Sequence, residues 1–168
     1  MQYHSSIRIL HLVIALIIIF MLFSGFTEGN FPSGNRKLIF YWHKSLGITL
    51  LILFAARIFA RALTTAPSLP ASFSKFESWG AKAGHIMLYV FGILAPLSGY
   101  LMKTAGGKTV NFFNFELPPI IESKFVAKYA YKSHEILAWV LLALIVGHVL
   151  AVVKHYLFKK ENLLTRIG

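Results

Sequence analysis

His134 and His148 stand fourteen residues apart in one long apolar run. Fourteen residues is close to four helical turns, so on a helix both imidazoles face the same way, ~21 Å apart along the axis. Two other apolar runs carry His43 and His11. Counted inward from the outer end of each run, His43 lies about five residues deep and His134 about three, whereas His11 lies about fifteen and His148 about seventeen. A depth read this way is good to ~5 Å. The four therefore sort into an outer pair, His43 with His134, and an inner pair, His11 with His148. Imidazole is an axial ligand of haem iron, and two of them on facing helices at one depth fill both axial positions, leaving no open site for oxygen. Such an iron moves electrons instead of activating oxygen. The pattern predicts two haems stacked across a bilayer. A lone intramembrane histidine can simply hydrogen-bond a neighbouring helix. Four at two matched depths fit that reading poorly, and intramembrane ionisable groups are functional candidates by default.

Other polar residues fall near the same levels. Arg57 follows His43 by fourteen residues, which puts it at the inner level with its face rotated only ~40°. A guanidinium in lipid needs an anion, and a haem propionate would form a charge-assisted pair with it. Arg8, three residues before His11, is placed to do the same. The alternative is snorkelling to the headgroups, which suits Arg61 better than Arg57. His85 opens the third run near the inner level and rivals the inner ligands by depth. His155 follows His148 by seven residues, near the inner boundary. Both read as interfacial groups that bind quinone or relay a proton, or else as solvated or capping histidines. His4 falls in a frayed N-terminus. Gly47 and Gly147 either let a flat macrocycle approach the backbone or pack helix on helix.

These residues need four membrane helices to position them. The chain has 168 residues, 57% of them hydrophobic and only 14% charged, against about 25% charged in a soluble domain. Apolar spans are expected over about 9–26, 38–62, 84–102 and 131–158, near the ~20 residues a bilayer needs. Pro96 falls inside the third, where neighbouring helices can satisfy the carbonyl it frees. The first span lacks a convincing cleavage site and reads as a retained helix, not a signal peptide. The expectation is an all-α, integral-membrane four-helix bundle, a single domain over residues 1–168. The connection from roughly Lys103 to Ala130 contains FFNFELPPII and is either an interfacial aromatic segment or a plain surface loop.

The net charge of +11 would suit nucleic acid, but the basic residues lie between or beside apolar runs, so a membrane fits better. With no cysteine, disulfides, thiolate-held iron–sulfur clusters and covalent c-type haem are excluded. Arg8, Arg57, Arg61, Lys75, Lys82, Lys154, Lys159, Lys160 and Arg166 fall on the terminal side, nine against eight on the other. That weak bias, with Arg8 and the basic C-terminal end, predicts cytoplasmic termini.

The chain resembles the bacterial cytochrome b561 family, four-helix di-haem cytochromes related to membrane subunits of nickel–iron hydrogenases and formate dehydrogenases. The matching residues are RILHLV, FYWHKSLGITLLILFAARIFAR, GHIMLYVFGILAPLSGYLM and KSHEILAWVLLALIVGHVLAVVKHY. The resemblance implies His11, His43, His134 and His148 as axial ligands of two b haems, ubiquinone or another quinone as redox partner, and a bacterial inner membrane with cytoplasmic termini. Some relatives oxidise superoxide and pass the electron to ubiquinone. Lys103, Lys108, Lys124, Lys128 and Lys132 cluster through the outer connection, and a cationic surface concentrates a small anion. They make superoxide:quinone oxidoreductase the favoured activity; otherwise these lysines bind headgroups or solvate the loop. Rival readings are the haem subunit of a dehydrogenase or hydrogenase docked to an outer redox protein, and a histidine-lined transporter or channel without haem.

Overall fold

A computed structural model describes residues 2–167. Its helices are α1 (Ser5–Phe26), α2 (Ser33–Leu63), α3 (Lys75–Thr104) and α4 (Lys124–Lys159). All four are long and apolar enough to cross a membrane. Each extends past the apolar run that marks it, because local capping lets the helix continue into polar flanks. At α3, Ser74 and Glu77 form a reciprocal capping box, which satisfies two otherwise orphaned backbone donors. At α4, the Ser123 hydroxyl accepts from Val126 N–H, so the helix starts at Lys124 and not near Tyr131. His4 is not frayed: its Nδ1 accepts from Ser6 N–H at 3.4 Å and caps α1.

The outer connection is correspondingly shorter, and it holds a small hairpin absent from the all-α expectation. Strand β1 (Val110–Phe112) pairs antiparallel with β2 (Phe115–Leu117). Phe113 turns the corner at φ 52°, a left-handed conformation costly for an aromatic residue. Two contacts with α2 hold it there. The Ser45 hydroxyl accepts from Phe113 N–H at 3.0 Å, and the Phe113 ring packs edge-on against Trp42, 6.0 Å between centroids. The hairpin thus lies against the outer end of α2, beside His43.

Packing runs α1 on α2, α2 on α3 and, most extensively, α3 on α4. The apolar core joins Ile14 and Ile18 of α1, Leu50 and Phe54 of α2, Ala95 of α3 and Leu141 of α4. The most deeply enclosed side chains, however, are Thr104, Ser24 and Ser45. Large apolar residues face outward instead, as with Phe158 and Phe76. This inversion is what a lipid solvent produces. Hydrocarbon does not drive apolar groups inward, so helix interfaces collect small and hydroxyl side chains that permit close approach. Pro96 sits buried within α3 without ending it.

Gly92 marks the tightest crossing. A Cβ there would lie 2.3 Å from Phe54 Cζ, and Phe54 is itself buried. Gly92→Ala is expected to destabilise the bundle by about 1–3 kcal/mol, the usual cost of overpacking. Gly80→Ala, where the added carbon meets nothing within 4 Å, serves as control. Thermal unfolding in detergent should show a lower midpoint for the first substitution only.

Candidate functional site

The fold brings the histidines together in two groups. At the outer level, the ring centroids of His43 (α2) and His134 (α4) are 6.3 Å apart. At the inner level, those of His11 (α1) and His148 (α4) are 6.4 Å apart. A metal–imidazole bond of about 2.0 Å on each side of an ion, with about 1.1 Å from nitrogen to ring centre, puts two trans imidazoles about 6.2 Å apart. Both pairs match that spacing. His85 also reaches the inner group, with its ring 5.4 Å from that of His148, closer than a trans pair spans. The inner group therefore holds three imidazoles.

The outer rings are tied by their Nδ1 atoms. His134 Nδ1 lies 2.8 Å from the Ala95 carbonyl. A carbonyl only accepts, so this nitrogen carries a proton, and in the neutral ring the lone pair is then on Nε2. The Ser98 hydroxyl donates to the same carbonyl at 2.7 Å and offers its oxygen to His134 Nδ1 at 3.2 Å. His43 repeats the arrangement with α1: the Ser24 hydroxyl donates to Met21 O at 3.1 Å and faces His43 Nδ1 at 2.8 Å. Metal-binding histidines are oriented by such bonds at the far nitrogen. Gly99 makes room for His134, since a Cβ there would lie 3.0 Å from Cε1 of its ring. Ser24, Ser98 and Gly99 were not singled out in the sequence. Their only signal is position, about one or two turns from a partner that the chain alone does not identify.

Arginine surrounds the inner group. Arg57 donates from Nε to the Tyr89 hydroxyl at 2.9 Å and from Nη1 to the Ile7 carbonyl at 2.7 Å. Its charge acts on His11, His85 and His148. Arg61 stacks over Tyr3, 5.2 Å from the ring centre, and its Nη1 is buried without a hydrogen-bond partner. An orphaned buried guanidinium nitrogen calls for an anion. Arg61 thus departs from the snorkelling expectation. Arg8 bonds the Ile167 carbonyl at 3.2 Å and Gln2 Oε1 at 2.8 Å, tying residues near the two chain ends together.

His155 is only 6% exposed and stacks on Phe73, centroids 4.2 Å apart and planes 12° from parallel. Phe73 thus covers one face of a ring expected to bind quinone, relay a proton or act as a solvated or capping histidine. His85, by contrast, is open at the bundle surface. The five lysines of the outer connection also separate. Lys124, Lys128 and Lys132 form a stripe along exposed α4 and Lys108 sits in the loop, whereas Lys103 joins Arg36, Lys37 and Lys44 around a recess of about 480 Å³ next to Phe40. Gly47 is buried against Met21 and Pro96, a packing role, while a Cβ at Gly147 would meet nothing within 4 Å.

The profile of the prokaryotic cytochrome b561 family matches residues 2–168. The chain belongs to that family. It is 33% identical to cytochrome b561 homolog 2 of Escherichia coli (strain K12) over 127 residues, covering 74% of this chain and 68% of the relative. It is 27% identical to cytochrome b561 homolog 1 of the same organism over 143 residues, 83% and 81% of the two chains. A protein of Yersinia pestis called "Probable superoxide oxidase CybB" is 24% identical over 166 residues, 98% of this chain and 94% of its own. The protein is accordingly a multi-pass bacterial membrane cytochrome of a family that binds b haem and transfers electrons. The donor set suits that group: imidazoles paired across helices at two levels, and guanidinium groups with no carboxylate partner among the described residues.

Gly99→Leu is expected to push the His134 ring off its position and to lower haem content per purified chain. Gly80→Leu should leave haem content unchanged, because that glycine faces open space.

Proposed function

We propose that the protein carries electrons across a bacterial inner membrane, from a donor at the outer face to a membrane quinone, with both termini cytoplasmic. His43 and His134 would hold one b haem and His11 and His148 a second. The observation that carries this reading is the pair of imidazole spacings, 6.3 and 6.4 Å, one pair at each level. A b haem held by each histidine pair would supply a one-electron couple. His11 is the better inner partner for His148 on spacing, which leaves His85 for another task. Its exposed position on α3 lets a quinone approach from the bilayer and receive a proton from the ring. Arg57 and Arg61 supply cations for propionates.

Superoxide is the favoured donor. The Yersinia relative bears a superoxide oxidase name, and the outer recess is lined by Arg36, Lys37, Lys44 and Lys103 with no acidic residue among them. Such a surface raises the local concentration of a small anion. Two superoxide ions each give up one electron and leave as dioxygen. One quinone takes both electrons and two protons from the inner side to become the quinol.

Pyridine haemochrome analysis should give two b haems per chain. His134→Ala should remove the outer haem and His148→Ala the inner one; loss of a haem from His85→Ala with both retained in His148→Ala would overturn the inner pairing. Superoxide-driven reduction should slow as ionic strength rises from about 0.01 to 1 M, over which the Debye length falls from about 30 to 3 Å. Lys44→Gln with Lys103→Gln should slow it at low salt and flatten the salt dependence. A rate indifferent to both would remove superoxide as the donor favoured by this surface.

A further inference from the structure

We propose that the side chains around the two imidazole pairs set different reduction potentials, lower at the outer site and higher at the inner one, so that electrons run inward downhill. The inference rests on the di-haem reading above and adds a direction to it.

The outer pair is enriched in electron donation. His134 Nδ1–H points at the Ala95 carbonyl and the Ser98 oxygen, and His43 Nδ1 faces the Ser24 oxygen at 2.8 Å. With Nε2 of each ring turned to iron, Nδ1 carries the ring proton, so the Ser24 and Ser98 oxygens accept it and direct their own hydroxyl protons to Met21 O and Ala95 O. A hydrogen bond accepted from the far nitrogen makes an imidazole a more basic ligand. Ser24 and Ser98 are 1% and 8% exposed, and burial strengthens such bonds. A more basic ligand favours the ferric state and lowers the potential.

The inner pair lacks this support. Among the described residues no hydrogen bond reaches a ring nitrogen of His11 or His148. Arg57 stands there instead, anchored to the Ile7 carbonyl one turn before His11 and to the hydroxyl of Tyr89, one turn after His85. Its positive charge, with Arg61 beyond it, disfavours a further positive charge on iron and raises the potential. A propionate drawn to either arginine is neutralised there, which acts in the same direction. Lys44 and Lys103 line an open recess at the outer end, and Lys132, two residues before His134, is exposed, so water and salt screen all three.

The test is a spectroelectrochemical titration of the purified di-haem protein. Two one-electron steps are expected. The haem kept by His148→Ala should titrate with the lower step and the haem kept by His134→Ala with the upper. Ser24→Ala and Ser98→Ala should each raise the lower step and leave the upper one in place, and Ser24→Thr, which keeps the hydroxyl, should restore it. Arg57→Gln should lower the upper step alone. A single unresolved step, an outer haem titrating above the inner one, or serine and arginine variants that move neither step overturns the inference while two haems per chain leave the di-haem reading intact. Fewer than two haems per chain overturns both.

Discussion

An imidazole inside an apolar solvent needs partners for its ring nitrogens, and the outer half of this bundle is built around that requirement. Hydrocarbon offers no water to satisfy a ring nitrogen. At the outer level α2 and α4 carry the rings, while α1 and α3 supply the acceptors through Ser24, Ala95 and Ser98. One bond therefore ties α1 to α2, and a second set ties α3 to α4, at a single depth. This level also selects the nearby residues: Gly99 is small because the His134 ring lies against it, and a Cβ added at Gly25 would lie 3.5 Å from His43 Cε1.

The apolar core sits between the two histidine levels, not around them. Leu141 lies midway from His134 to His148, Leu50 midway from His43 to Arg57, and Ile14 and Ile18 between His11 and Ser24. A layer of packed hydrocarbon side chains separates the polar levels. That arrangement keeps charge and water out of the middle of the bundle while leaving the imidazoles at each end close to their own face.

Both ends are clamped by polar contacts outside the apolar layer. At the inner end Glu77 receives Lys159 at 2.5 Å and Lys154 at 3.6 Å, joining the start of α3 to the end of α4. Tyr3 N–H bonds the Arg166 carbonyl at 3.0 Å, and Arg166 in turn donates to the Ser68 carbonyl. At the outer end Ser45 grips the hairpin. These ties hold the helix ends in register, and register sets whether two rings on different helices meet.

Helix number, helix positions and histidine depth were legible in the sequence, because hydropathy and a rise of 1.5 Å per residue are properties of one chain segment at a time. The same arithmetic assigned His43 and His134 to one level and His11 and His148 to another. The hairpin escaped notice because its turn places Phe where a left-handed residue such as glycine or asparagine is the usual sign, and only the Ser45 and Trp42 contacts sustain it. Ser24, Ser98, Gly99 and Arg61 were hidden for a related reason. Serines, glycines and helix-end arginines abound in membrane helices, and which of them meets a ring depends on how helices rotate about their axes. Rotation is decided by packing between segments distant in the chain. The sequence alone therefore determined how deep each imidazole lies, and the tertiary structure alone decided what touches its far nitrogen.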